Sequence, residues 1–202
     1  MKQRTKIVVA FLAMFFVILA TSQLANAKEW TLQTNDDVNK VWNIRFNYPI
    51  DPSSLSTDSV YVLDGTKKHT ITLGLAEGGK MVSVTPTTSY EMGKTYRLMI
   101  TNALQSNDGQ ALMEPVELPF QIVNPNDKIQ SVYSKTVNLF TTVTVKTSSD
   151  VHSVKVSGDE MKYEGNNTYT LTLVDAKIGS TLTIYGYDEN GKRIETKKYK
   201  IE

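Results

Sequence analysis

The feature that most constrains the fold of this chain is a regular alternation of apolar runs and breaks between residues 41 and 123. Short β-branched and aromatic runs are interrupted by Gly, Asn, Asp and Pro roughly every ten residues. This spacing is typical of antiparallel strands, each of which needs one apolar face and then a turn. We therefore expect an all-β sandwich, with helix limited to one short turn after Asp51, where Pro52 occupies a favourable first helical position.

The alternation continues to the end of the chain and predicts two groups of strands. The first group is predicted at 41–46, 59–63, 70–75, 81–85, 95–101 and 116–123, with a candidate strand at 30–32. The second is predicted at 129–133, 140–147, 154–156, 161–163, 169–174, 182–187 and 196–201. Within the first predicted strand Trp42, Ile44 and Phe46 alternate with polar residues, so these three side chains should face the core.

The first 27 residues have the three parts of a secretory signal peptide. Lys2, Arg4 and Lys6 form a basic start, residues 7–20 are apolar throughout, and Ala25 and Ala27 are small residues at the cleavage site. A membrane anchor is the alternative, but it needs roughly 20 apolar residues, and this run has 14. We expect cleavage after Ala27 and no membrane span in the mature chain. The expected location is outside the cell, with the protein either released or associated with the cell wall.

A short segment around Pro125 divides the remaining 175 residues. Pro125 restricts its own backbone and that of Asn124, and the neighbouring Asn and Asp residues favour turns. The predicted organisation is a signal peptide at 1–27, a first domain at 28–123, a linker at 124–127 and a second domain at 128–202.

Charge and cysteine content exclude some classes of protein. Three of the 22 basic residues lie in the predicted signal peptide, which leaves 19 against 21 acidic residues. A nucleic-acid-binding protein would show a basic excess, so nucleic acid is not an expected partner. The chain has no cysteine, so its domains must be held by core burial without disulfides.

Several segments of the first half follow a family pattern. They are 44–55 (IRFNYPIDPSSL), 60–62 (VYV), 82–86 (VSVTP), 93–98 (GKTYRL) and 108–112 (DGQAL). At these residues the chain resembles the bacterial Ig-like domain of S-layer proteins and Gram-positive surface proteins. The resemblance implies a seven-stranded sandwich that serves as a spacer or adhesive module, with no catalytic residues to transfer. Tyr96 occupies the place of a tyrosine corner, whose hydroxyl ties down the preceding loop.

The second half resembles another bacterial Ig-like repeat more loosely. The similar segments are 154–156 (VKV), 169–171 (YTL), 179–184 (GSTLTI) and 188–191 (DENG). The expected fold is therefore two tandem immunoglobulin-like antiparallel β-sandwiches after the signal peptide.

Candidate catalytic groups are few. His69 and His152 are the two histidines, one in each half, and a Ser–His–Asp site would need one of them between a carboxylate and a serine. The acidic pairs Asp36-Asp37 and Asp159-Glu160 have turn-like neighbours, where solvated charge is the ordinary explanation. We expect no catalytic residues and no enzyme activity.

One turn could bind calcium. Asp188 and Asn190 offer oxygen ligands of the kind that calcium prefers. A plain hairpin turn at Asn190-Gly191 explains the same residues without a metal. No other cofactor is expected.

Two tyrosines give the one indication of a ligand-binding surface. If Leu182, Ile184 and Gly186 face the core, Tyr185 and Tyr187 share the outer face of the same strand. There they could stack on sugar rings or anchor a protein. Alternatively they pack against a cross-strand neighbour or the other domain.

These patterns favour a non-catalytic structural or adhesion module, secreted or at the cell surface, whose partner is a cell-wall polymer or a surface protein. The alternative is a secreted inhibitor or binding protein of an extracellular hydrolase, acting through first-domain loops at 75–81 or 101–112. The identity of the ligand does not follow from the sequence.

Overall fold

The structure is a computed structural model that describes residues 28–201. The predicted signal peptide lies outside the described residues. Over the described range the chain forms strands and two short 3₁₀ turns. The strands are β1 (Lys28–Glu29), β2 (Gln33–Asn35), β3 (Trp42–Arg45), β4 (Val60–Asp64), β5 (Lys67–His69), β6 (Ile71–Ala76), β7 (Met81–Pro86), β8 (Thr95–Ile100), β9 (Val116–Ile122), β10 (Ile129–Val137), β11 (Phe140–Thr147), β12 (Ser153–Val156), β13 (Asp159–Glu160), β14 (Lys162–Gly165), β15 (Thr168–Val174), β16 (Thr181–Tyr187) and β17 (Arg193–Lys200).

The strands up to β9 form a two-layered sandwich. One sheet has the order β1-β9-β8-β4-β5, with β2 also pairing along β9, and the facing sheet has the order β3-β7-β6. Strands β1 and β2 run parallel to β9, whereas the other pairings are antiparallel. The core between the sheets is rich in aromatic residues, and Tyr90, Tyr96 and Phe120 are at most 2% exposed. The predicted inward side chains Trp42, Ile44 and Phe46 pack against it.

The segment 30–32 is not a strand, which corrects the candidate strand of the sequence analysis. Pairing with β9 stops after Glu29 and resumes at Gln33, with one extra residue on the N-terminal side. The Glu117 carbonyl accepts a hydrogen bond from the Trp30 N–H, and the Val123 N–H donates to the Asn35 carbonyl, so the backbone groups of Glu117 and Val123 point toward the N-terminal strands. Backbone groups alternate in direction along a strand, so those of every second residue between Glu117 and Val123 point the same way. Pro119 is one of these residues and has no N–H to donate, which explains the interruption.

The one expected helical turn is present. Residues Pro52–Ser54 form a 3₁₀ turn, and the Asp51 carboxylate accepts a hydrogen bond of 2.9 Å from the Ser53 backbone N–H. A second 3₁₀ turn covers Glu77–Gly79.

The strands from β10 onward form a second sandwich. Its sheets have the orders β10-β11-β15-β14 and β13-β12-β16-β17, and the pairings in both are antiparallel. The core is mainly aliphatic, with Val143, Val145, Val154 and Ile184 fully buried. The fold is thus all-β, with two tandem Ig-like β-sandwiches, as the sequence predicts.

No described sheet combines strands from both sandwiches. The predicted linker at 124–127 falls between the end of β9 and the start of β10. The limits 28–123 and 128–202 remain our proposal for the two domains, and the two sandwiches are called the first and second domain below. Within residues 28–201 there is no helix of the length and apolarity that a bilayer span requires.

Candidate functional site

The predicted ligand-binding tyrosines lie in the central strand β16 of one second-domain sheet. Ile184 is fully buried and Gly186 is also in the core, so the alternation places Tyr185 and Tyr187 on the opposite, outer side. The packing around Gly186 is close, because a Cβ built there would lie 3.5 Å from a side-chain atom of Val151. Both tyrosines are half-buried at the surface of the sheet.

Basic side chains from the two neighbouring strands surround these rings. Lys155 of β12 is the cross-strand partner of Tyr185, and its Nζ lies 5.7 Å from the centre of the Tyr187 ring. The guanidinium carbon of Arg193 in β17 lies 5.4 Å from the centre of the Tyr185 ring. A cation at such a distance is attracted to the face of the ring by about 0.5–1 kcal/mol at an exposed site. These contacts limit the motion of both rings.

Two further lysines extend the same surface. Lys198 pairs with Thr183 and Lys200 pairs with Thr181, so both side chains emerge on the outer side of the sheet. We call this surface the tyrosine face; it consists of Lys155, Tyr185, Tyr187, Arg193, Lys198 and Lys200.

The four cations of the tyrosine face were not predicted from the sequence. Their common orientation depends on the register of β12, β16 and β17. It also depends on a bulge in the pairing of β16 with β17, between Gly186 and Tyr187, which places Tyr187 opposite Arg193. The spacing of Lys198 and Lys200, two residues apart in a strand, was the one local signal that could have indicated two cations on the same side.

The predicted calcium ligands lie in the turn that follows β16. Asp188 Oδ1 accepts hydrogen bonds from the backbone N–H groups of Asn190 (3.0 Å) and Lys192 (2.9 Å). Gly191 has a φ of 74°, a conformation that glycine adopts without strain. One carboxylate oxygen of Asp188 is therefore used to hold the turn. Among the described residues there is no group of three or more His, Asp or Glu that could hold a metal ion, and calcium binding remains a prediction.

The two histidines have different surroundings. The His69 ring is stacked on Tyr90 with centres 4.8 Å apart and meets the edge of Tyr96 at 5.4 Å. Its Nε2 lies 2.9 Å from the Thr88 carbonyl oxygen, which can only accept a hydrogen bond. His152 is exposed before β12. His69 is thus part of the aromatic packing of the first domain.

Burial changes the acidity of the two tyrosines around His69. It raises the pKa of Tyr90 strongly, and the neighbouring Tyr96 adds to that rise. It also raises the pKa of Tyr96, although the hydrogen bond with Glu91 acts in the opposite direction. The Glu91 N–H donates that bond to the Tyr96 hydroxyl over 2.9 Å, which is the geometry expected of a tyrosine corner.

The loops considered for an inhibitor are both attached to one segment of the first domain. The Ile50 N–H donates to the Gly79 carbonyl (2.8 Å), and the Asn107 N–H donates to the Pro49 carbonyl (2.9 Å). A shallow cavity of about 240 Å³ lies beside these contacts, lined in part by Tyr48 and Leu112.

Two larger clefts lie away from the tyrosine face. One, of about 540 Å³, is an apolar groove between the sheets of the first domain, lined in part by Trp42 and Phe46. The other, of about 600 Å³, lies between Trp30 of the first domain and a threonine-rich surface of β10 and β11. Lys146 Nζ approaches Thr34 Oγ1 across this cleft at 3.5 Å. Neither cleft was predicted from the sequence.

Comparison with protein families identifies the first domain. Residues 30–122 match the family model described as "Bacterial Ig-like domain". This stretch is a bacterial Ig-like domain, which confirms the resemblance drawn from its sequence. The match ends before the second domain begins. A search among curated proteins finds no significant match.

Solved structures with some similarity come from several kinds of protein. The N-terminal part of the bacterial S-layer protein SbsC has 13% identity and a TM-score of 0.38, over 86% of this chain and 44% of that one. A GBS pullulanase in complex with maltotetraose has 9% identity and a TM-score of 0.32, over 81% of this chain and 22% of that one. A Bacteroides ovatus protein, SGBP-B, bound to a mixed-linkage heptasaccharide has 16% identity and a TM-score of 0.25, over 89% of this chain and 46% of that one. The chain spans less than half of each of these structures, and similarity at this level carries no argument about function.

Proposed function

We propose that this protein is an extracellular, non-catalytic binding module that attaches to a cell-wall polymer through the tyrosine face. The observation that supports the proposal is the pair Tyr185 and Tyr187, held side by side on the outer surface of β16 by cations of both neighbouring strands. Rings fixed in this way lose little conformational entropy when a ligand stacks on them. The export signal predicted at the start of the chain and the bacterial Ig-like match of residues 30–122 are in agreement with a surface location.

The shape of the tyrosine face favours a polymer over a small molecule. The three cavities described above are lined by residues outside this face. A sheet surface without a cavity cannot enclose most of a small ligand, as typical small-molecule sites do. It can, however, contact several units of an extended chain at once, and the weak contacts then add together.

Co-sedimentation with purified cell walls tests the proposal. The exported protein should sediment with the walls, and Tyr185→Ala or Tyr187→Ala should weaken binding about fivefold or more, as loss of an anchoring aromatic does at other interfaces. Tyr185→Phe should retain most of the binding because the ring remains.

The matched control is Tyr48→Ala. Tyr48 is a 61% exposed tyrosine of the first domain, so this variant removes an equal ring from another surface. Circular dichroism of each variant should show an unchanged fold. Sedimentation of the Tyr185 and Tyr187 variants at the level of the unchanged protein would overturn the proposal.

A further inference from the structure

We infer that the polymer bound by the tyrosine face is polyanionic, and specifically a wall polymer with phosphodiester groups along its chain. The inference rests on the proposed function and adds the chemical class of the ligand. It comes from the charges around Tyr185 and Tyr187, which the two aromatic rings alone do not determine.

The tyrosine face has a concentrated positive charge that the described carboxylates do not neutralise. Lys155 lies on β12, and Arg193, Lys198 and Lys200 lie on β17, the two strands on either side of β16. None of these four cations forms an ion pair with a carboxylate in residues 28–201. The acidic residue nearest to these cations in the strand register is Glu160, which lies opposite Lys155 on the short strand β13.

Several other cations of the second domain do have carboxylate partners. Lys197 is adjacent in sequence to Lys198, but its side chain lies on the inner side of the sheet. There it donates to the Ile129 carbonyl (2.8 Å) and lies 3.8 Å from Asp127. Lys128 is paired with Asp150. The chain as a whole is near neutrality, so the positive field of the tyrosine face is local.

The chemistry of these side chains matches phosphodiester oxygens. Arginine can donate two parallel hydrogen bonds to a phosphate, and lysine adds compact point charges beside it. The threonines between them, Thr183 and Thr196, can donate hydroxyl hydrogen bonds to the same oxygens. The tyrosine rings supply apolar surface for the carbon units between phosphates.

The spacing of the cations also fits a chain of repeated charges. Lys198 and Lys200 are two residues apart in β17, a separation of roughly 6.6 Å along the strand. Lys155 lies two strands away, beyond β16, at roughly twice the interstrand spacing of 4.8 Å. A ligand with a single anionic group would contact only part of this surface, whereas a linear polyanion can contact the cations in succession.

The experiment compares binding to intact walls with binding to walls from which phosphodiester polymers have been removed by hydrofluoric acid. We expect the protein to sediment with intact walls, to lose at least about tenfold in affinity on treated walls, and to be released by soluble poly(glycerol phosphate). Rising salt should weaken the binding, because the charges of an exposed surface are screened.

A double variant, Lys198→Gln with Lys200→Gln, tests the residues. It should reduce binding to intact walls about tenfold or more while leaving the aromatic pair in place. The control, Lys67→Gln with Lys80→Gln, makes the same change in net charge at exposed lysines of the first domain and should bind normally.

The outcomes separate this inference from the proposed function. Equal binding to intact and treated walls, with loss in the Tyr185 and Tyr187 variants, would overturn the inference and leave the proposed function in place. Absence of binding to either preparation would overturn both. Equally strong release by duplex DNA or by a carboxylate polymer would show that the face binds polyanions without preference, and this would overturn the assignment to a phosphodiester wall polymer.

Discussion

The cores of the two domains differ in their aromatic content. In the first domain Tyr90, Tyr96 and Phe120 form a buried cluster in which neighbouring ring centres are 4.8 to 5.5 Å apart. Among the described residues of the second domain, the buried core cluster contains one aromatic residue, Tyr169, and its other members are mainly aliphatic. The tyrosine pair at positions 185 and 187 lies outside it. The core of the first domain is therefore built on aromatic rings and that of the second is not, while exposed rings such as Tyr48 and Tyr163 occur in both domains.

The difference follows from what fills each sandwich. A valine-rich core packs well between two narrow sheets, because β-branched side chains fit the pleated surface in a few rotamers. Such a core needs little aromatic volume. The second domain can accordingly place Tyr185 and Tyr187 outside without leaving its interior underpacked, since Ile184 and Val154 fill the space beneath them.

The largest expected effect is loss of an aromatic core residue from the first domain. Phe120→Ala should lower the free energy of unfolding of that domain by about 3–5 kcal/mol, because Phe120 is fully buried and contacts Trp42, Tyr90 and Tyr96. Both tryptophans of the chain are in the first domain, so tryptophan fluorescence during urea unfolding reports on it selectively.

The counterpart in the second domain is Ile184→Ala, with an expected loss of about 2–5 kcal/mol. It should shift the transition seen by far-ultraviolet circular dichroism and leave the fluorescence transition unchanged. If either variant lowers both transitions equally, the domains unfold as one unit and the contrast between their cores has no separate thermodynamic meaning.

A smaller effect is expected from the tyrosine hydroxyls that tie a loop in each domain. The Tyr169 hydroxyl donates to the Val151 carbonyl (2.9 Å) in a buried setting, whereas the bond from Glu91 N–H to Tyr96 is partly exposed. Tyr169→Phe should cost about 1–3 kcal/mol and Tyr96→Phe about 1 kcal/mol, because a group left unpaired is more costly where water is excluded. Urea unfolding with the two probes would measure both, and the reverse order would contradict this reasoning.

Removal of the Tyr90 hydroxyl, in contrast, should have little effect on stability at neutral pH. This hydroxyl is buried without a hydrogen-bond partner among the described residues, so Tyr90→Phe should change stability by less than about 1 kcal/mol. Burial raises the pKa of Tyr90 above its ordinary value. The neutral phenol is thus favoured in the folded state, and this contribution is present below pH 10 and lost as the pH rises toward the folded-state pKa.

The variant should therefore reduce the alkaline loss of stability of the first domain. Thermal unfolding of the wild type and of Tyr90→Phe, followed by tryptophan fluorescence from neutral pH to above pH 10, measures this difference. Tyr48→Phe, which removes an exposed hydroxyl, is the control. Equal alkaline losses in all three proteins would show that Tyr90 is not the group responsible.

The sequence predicted the strands with apolar alternation and missed features that depend on distant residues. Strands β3, β7, β8 and β11 lie within a residue or so of the predicted ranges, because their inward and outward positions differ in polarity. Strand β5 (Lys67–His69) escaped prediction because its polar residues lack that alternation; it forms by pairing with β4 across the Asp64-Gly65 turn. The break at 30–32 depends on Pro119, nearly ninety residues away.

The candidate site, likewise, could be predicted from the sequence only in part. The common orientation of Tyr185 and Tyr187 could be predicted, since it depends on the period of one strand. The cations beside them could not, because their position depends on how β12 and β17 align with β16. For the same reason His69 could not be assigned to the aromatic cluster, which unites residues from separate strands and loops.

The smallest expected effect concerns acid stability of the second domain. Lys128 and the Ser148 hydroxyl both bond the Asp150 carboxylate and lower its pKa from 3.8 to about 2. The ionised form is favoured in the folded state, so this contribution is present above pH 3.8 and is lost as the pH falls through about 2. Asp150→Asn should remove that part of the acid dependence, and the change should be small because an exposed ion pair is screened by solvent. Circular dichroism between these two pH values, with Asp159→Asn as control, and an NMR titration of the carboxyl would measure it. An Asp150 carboxyl that titrates near 3.8 would show that Lys128 does not hold it in solution, and the acid response of the second domain would then have another origin.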